Sequence, residues 1–175
     1  MRTNVVFTLT GPDRIGIVEE VTRVLFELGG NVETSRMARL GGEFAILMLV
    51  AMPEERRSGL EAAFAPLVAQ GYKVTVGQTE ASRAAEHIGW LPYQVEVTGA
   101  DHEGIVHEVA AGLSRLGINI ESAETCTTAA PVSGTPLFTM TAQVVVPPGV
   151  AATDWVAALS AAADESNVDI EVTAL

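Results

Sequence analysis

The 175-residue sequence predicts an α+β fold built twice, each copy running strand, helix, strand, strand, helix, strand. Three observations predict it. Residues 11–18, GPDRIGIV, return as GADHEGIV at 99–106, with five of the eight positions identical. A second block, LGGNVE at 28–33, returns at the same spacing as LGINIE at 116–121, so the shared offset marks a duplication. Between the two blocks apolar residues recur at helical spacing, and outside them they alternate as in a half-buried strand.

Each element follows from its own pattern. Val5, Phe7 and Leu9, then Tyr93, Val95 and Val97, alternate and read as first strands. Twelve residues separate Gly16 from Gly29, and Gly104 from Gly117, which is enough for about three helical turns. Across that distance Ile17, Val21, Leu25 and Leu28, and their echoes Ile105, Val109, Leu113 and Leu116, form one apolar stripe. Gly29 and Gly117 stop the helices, and second strands start at Asn31 and Asn119. Gly41-Gly42 suits a two-residue hairpin into Phe44 to Val50. In the second copy AAPVSGTP, residues 129–136, lengthens that hairpin loop by six residues before Phe138 to Val146. Pro53 and Pro147 close the third strands. Alanine-rich second helices follow at Ser58 to Ala69 and Ala152 to Ala163, and last strands at Lys73 to Val76 and Val168 to Val172. This order is the ferredoxin-like split βαβ arrangement, an antiparallel sheet with helices on one face. The expected domains are residues 1–78 and 92–175, joined by a linker at 79–91 with room for a helical turn over 81–86.

Composition removes several function classes. The longest apolar run, Phe44 to Met52, has nine residues where a membrane span needs about 20. With no signal-peptide pattern at the N-terminus either, the expectation is a cytoplasmic protein. One cysteine, Cys126, forms no intramolecular disulfide and no cysteine-rich zinc site. A formal charge of −12 and a single lysine, Lys73, oppose direct nucleic-acid binding.

The motifs argue against chemistry. GPDRIGIV has two glycines where a dinucleotide loop wants three, and no Lys-Ser/Thr pair for a phosphate. In HEGIVHE, His102 and His107 are five apart, whereas a metal-binding helix needs four to place both rings on one face. His87 lies in the linker without an evident partner and reads as solvated. Cys126 shares strand parity with Ile120 and reads as a small buried hydrophobe. Ser133 has no nucleophile-elbow pattern, and Glu19-Glu20 and Glu54-Glu55 read as solvated surface. No catalytic constellation forms, so the expectation is no enzyme, no metal and no cofactor.

The repeated turn suits a small zwitterion. A helix start leaves its first amides without intrahelical acceptors, and these attract a carboxylate. Asp13 or Asp101 just before it can meet an ammonium, Gly16 and Gly104 allow close approach, and the Asn31 and Asn119 carboxamides donate and accept at once. The plainer roles are an N-cap for Asp13 and a turn-tolerant residue for Asn31.

GPDRIGIV, followed by LGGNVETSRMARLGGEF, resembles the ACT domain, a ferredoxin-like module that binds amino acids and other small effectors. The run NVETSRMARLGGEF and the tandem pair without an attached enzyme are similar to ACT-domain transcriptional regulators of the glycine cleavage system. The resemblance implies domains packed side by side, in one chain or a homo-oligomer, with effectors between one domain's turn and another's second strand. By position the ligand-binding residues are Asp13, Arg14, Ile15, Gly16 and Asn31, then Asp101, His102, Gly104 and Asn119. It further implies an amino-acid effector such as glycine and a transcription factor as protein partner. Family members commonly carry proline where Ile15 and Glu103 stand, and acidic Glu103 disfavours a carboxylate in the second copy. The competing expectation is a protein–protein interaction module with empty turns.

Overall fold

The computed structural model describes residues 1–79, 87–130 and 134–175. The chain divides into two compact units, Met1–Ala84 and Ala85–Leu175. The first contains β1 (Arg2–Pro12), α1 (Ile17–Glu27), β2 (Asn31–Leu40), β3 (Glu43–Pro53), α2 (Glu54–Arg57), α3 (Leu60–Ala63), α4 (Ala65–Ala69) and β4 (Lys73–Gln78). The second contains β5 (Leu91–Ala100), α5 (Ile105–Arg115), β6 (Asn119–Ala129), β7 (Pro136–Val146), α6 (Ala152–Glu165) and β8 (Val168–Ala174). Strand orders are β2-β3-β1-β4 and β6-β7-β5-β8, antiparallel throughout. The tandem ferredoxin-like architecture expected from the repeat is therefore present.

The alternation in the sequence decides which strands sit centrally. In the first unit Val5, Phe7 and Leu9 of β1 and Ile46, Met48, Val50 and Met52 of β3 are buried against Ile17, Val21 and Leu25 of α1. Phe7 and Phe64 meet with ring centroids 4.6 Å apart. In the second unit Val95, Val97, Met140, Ala142 and Val144 pack against Ile105, Val109, Leu113 and Trp155. Full burial of each large apolar side chain is worth roughly 1.5–3 kcal/mol. Leu28 and Leu116, at the ends of the stripes, are only half-buried.

Local chemistry modifies three expectations. The second helix of the first unit is not one helix over Ser58 to Ala69; it starts at Glu54 and breaks at Ser58-Gly59 and Phe64. Pro66 explains the second break, because it lacks an N–H and its ring would clash with the carbonyl four residues back. In the second unit the loop beyond β6 is shorter than expected: each flanking strand extends by one residue relative to its counterpart, leaving 130–135 between them. The Ala130 N–H donates to the Thr135 carbonyl at 2.8 Å and closes this hairpin.

Cys126 is exposed rather than buried. A bulge between Ile120 and Ser122 inserts one residue into β6, so the parity carried forward from Ile120 reverses. Cys126 then stands opposite Thr139 on the open face, while Thr125 faces buried Met140. The same bulge interrupts β2 between Val32 and Thr34. The expected helical turn at 81–86 and Ser133 lie outside the described residues.

Candidate functional site: the strand–helix turns

β1 delivers the chain to the first turn through a close approach. A Cβ at Gly11 would stand 2.5 Å from Tyr72 Cδ1, and the Tyr72 hydroxyl donates to the Pro12 carbonyl at 2.8 Å. The chain then bends, with the Asp13 N–H donating to Gly42 in the β2–β3 hairpin at 2.9 Å. Gly16 ends the turn at φ +88°, and Gly104 does the same at φ +101°. Nothing lies within 4 Å of a Cβ at Gly16, so the left-handed backbone, and not crowding, is what requires glycine there.

Asp13 is not an N-cap; no side chain caps α1. Its carboxylate meets Arg39 Nε of the neighbouring hairpin at 2.7 Å. Arg14 turns the other way. Its guanidinium donates to Glu20 at 2.5 Å and to Gln70 Oε1 at 3.4 Å, and lies 5.7 Å from the Tyr72 ring centre. The hydrogen bond to Glu20 pushes the Arg14 pKa above its ordinary value. Ile15 projects fully into solvent. The first helical bond is Glu20 N–H to the Gly16 carbonyl at 3.0 Å, so the Val18 and Glu19 amides precede the hydrogen-bonded ladder.

The second turn repeats the plan with other side chains. The Asp101 N–H donates to the Pro136 carbonyl at 3.0 Å, and the Glu108 N–H to Gly104 at 3.0 Å. His102 stands where Arg14 stands and braces the same corner, with Nε2 2.7 Å from the Ser166 carbonyl and Nδ1 3.0 Å from the Glu103 carbonyl. The Glu103 and then the Ser166 carbonyl raise the His102 pKa by accepting from the protonated ring. Ser166 also bonds Glu108, the counterpart of Glu20. Asp101 and Glu103 remain exposed.

Asn31 and Asn119 do not join these turns. Asn31 pairs with Ala51, which pairs with Asn4, whereas Asp13 follows Pro12 at the other end of β1. Eight residues of strand separate the two levels, about 27 Å at 3.4 Å per residue. The second unit repeats this register, Asn119 facing Val145 and Val145 facing Pro92. Asn119 Nδ2 instead donates to Glu121 at 2.7 Å.

Sequence reasoning missed the partners that hold the turns. Arg39 is brought over Asp13 by the hairpin that also supplies the Gly42 carbonyl, and Gln70, Tyr72 and Ser166 come from the helix end and turn that precede the last strand. Glu19 and Glu20 are not merely solvated, since Glu19 pairs with Arg23 at 3.4 Å and Glu20 with Arg14. His87 also has partners: Glu121 at 3.5 Å and the Trp90 ring at 4.4 Å. Among the described residues no three His, Cys, Asp or Glu side chains cluster as a metal site, and no helix is long and apolar enough to cross a membrane.

The family model described as the ACT domain matches residues 3–76, the span of the first sheet and its helices. The first unit is thus similar to the ACT-domain family. The glycine cleavage system transcriptional repressor of Escherichia coli (strain K12) is 48% identical over 46 residues, covering 26% of this chain and 24% of the repressor. The match thus spans about a quarter of that relative's length. The crystal structure of an unknown protein from Galdieria sulphuraria superposes with a TM-score of 0.84 at 34% identity, covering 100% of this chain and 99% of that one. A candidate glycine cleavage system transcriptional repressor superposes with a TM-score of 0.71 at 22% identity, covering 100% and 98%, a likeness of fold. The two-unit fold over the whole length is thus a shared architecture.

Proposed function

We propose that this chain is an amino-acid-responsive regulator without catalysis of its own. A small amino acid, glycine in the first instance, binds where the strand–helix turn of one copy meets the second strand of another. The occupied form engages or releases a transcription factor. The observation that carries the reading is the start of α1. There the Val18 and Glu19 amides carry no side-chain cap and Asp13 precedes them by five and six residues in the same turn, so the turn offers donors for a carboxylate and an anion for an ammonium. The choice of glycine and of a transcription factor rests on similarity to the Escherichia coli repressor. The charge of −12 supports regulation through a protein partner and not through direct DNA contact.

Because Asp13 and Asn31 stand about 27 Å apart in their unit at strand spacing, a site using both takes the turn from one copy and the strand from another. This favours a homo-oligomer or a pairing of copies. The second turn makes the poorer site, because Glu103 adds negative charge and His102 is committed to the Ser166 carbonyl. A thermal-shift screen of the twenty amino acids tests the reading. A ligand at 100 times its Kd raises stability by about 2.7 kcal/mol. If the site lies between chains, Asp13→Ala and Asn31→Ala chains each fail to bind, and mixing them restores part of the response.

One observation favours an interaction module with empty turns. Asp13 and Arg14 are each already paired, with Arg39 and Glu20, so the turn is electrostatically complete without a ligand. On that reading no amino acid shifts the melting temperature.

A further inference from the structure

The two units differ at one equivalent place, and the difference points to a ligand. In the first unit Arg2 Nη2 donates to the Gly29 carbonyl at 3.2 Å and the Ala51 carbonyl at 2.5 Å, so a guanidinium sits against the end of α1. Glu33 is near, accepting from Asn4 Nδ2 at 3.4 Å. A helix C-terminus carries partial negative charge, so a cation there is favourable.

The repeat offset carries Arg2 to Trp90, Gly29 to Gly117 and Glu33 to Glu121. The register agrees: Arg2 faces Pro53, while Trp90 precedes Leu91, which faces Val146, the residue before Pro147. Gly117 repeats the Gly29 backbone, φ +70° against +73°. The second unit thus keeps the carbonyl and the carboxylate but has replaced the cation by an indole. A cavity of about 430 Å³ lies there, lined among others by His87, Trp90, Ser114, Gly117 and Asn119. The His87 and Trp90 rings form one wall, 4.4 Å apart and tilted by 50°. Glu121 lies beside it, bonded to Asn119 Nδ2 and 3.5 Å from His87.

We propose that this pocket binds a small organic cation, a guanidinium or primary ammonium group, in the place that Arg2 fills in the first unit. An aromatic face, a carboxylate and the end of a helix are three features that favour a cation and disfavour an anion. The pocket lies within the second unit, needs no second copy and stands apart from the amino-acid reading of the turns.

Agmatine is the probe, because it carries a guanidinium and an ammonium but no carboxylate for the helix-start amides. Trp155 is fully buried, so a change in tryptophan emission on titration at constant ionic strength reports Trp90. The expected result is a saturable change with one site per chain, and a Kd at least about tenfold higher in Glu121→Gln. In Trp90→Arg, which installs the first unit's arrangement, calorimetry is expected to show no binding. Absence of a saturable change in the wild-type chain would overturn the proposal. So would an equal Kd in Glu121→Gln, since general attraction to an acidic surface would then explain the signal. Neither outcome bears on whether an amino acid binds at the turns.

Discussion

Asp13, Gly16 and His102 show how single residues divide between holding the turns and serving them. Gly16 lies at φ +88° with open space around it, so Gly16→Ala should cost about 1–2 kcal/mol through the left-handed backbone alone. Gly16→Asn should recover part of that, because Asn tolerates this region better. Urea midpoints check the order Gly, Asn, Ala. The Asp13–Arg39 pair is largely exposed, with 68% of the Arg39 side chain and 30% of the Asp13 side chain accessible. Asp13→Ala should therefore lose less than about 1 kcal/mol of stability. On the proposed function its effector affinity should nevertheless collapse, and the two measurements together separate a binding role from a structural one.

His102 gives the second turn a pH dependence. Its folded pKa is raised, first by the Glu103 carbonyl and then by the Ser166 carbonyl. Its contribution is therefore fully present below the ordinary histidine value of about 6.5 and is lost as pH rises through the higher folded value. An NMR titration of the His102 ring should show a midpoint above that of free histidine. The urea midpoint should fall across the same window, and His102→Gln should remove that dependence. A midpoint at or below the ordinary value would contradict the bonding described.

At the scale of elements, the bulges decide what faces where. One residue inserted between Ile120 and Ser122 carries Cys126 to the open face of its sheet. Cys126 should therefore react with a thiol reagent in the native protein nearly as fast as in urea; protection in the native state would put the bulge in doubt. The elements themselves were legible because their signals are local: alternation at Val5, Phe7 and Leu9, helical spacing at Ile17, Val21 and Leu25, and glycines at the turns. The bulge was not, because no residue at Glu33 or Glu121 announces an extra position in the ladder. The breaks in the second helix were partly legible, since Pro66 is visible in the sequence, although alanine-rich flanks suggested one continuous helix. The candidate turns were visible through their repetition. Their partners Arg39, Gln70 and Tyr72 were hidden, because only the hairpin and the turn before the last strand bring them to Asp13 and Arg14.

Among the described residues the two units have separate cores that share no residue. Both tryptophans, Trp90 and Trp155, belong to the second unit, so emission follows that unit while far-UV circular dichroism follows both. Urea unfolding is expected to give different midpoints by the two probes, and superimposable curves would argue for one cooperative molecule. Expressing residues 1–78 and 92–175 separately tests the domain limits, each piece being expected to fold. Duplication also supplied a comparison within one chain: Arg14 against His102 at the turns, and Arg2 against Trp90 at the helix ends.

On the proposed function the first turn receives a small amino acid. Its most direct test is a thermal-shift screen of the twenty amino acids, glycine first, on the wild-type chain and on Asp13→Ala. At least one amino acid is expected to raise the wild-type melting temperature in a saturable manner and to leave Asp13→Ala unmoved. No shift with any of the twenty, or an equal shift in Asp13→Ala, would contradict it.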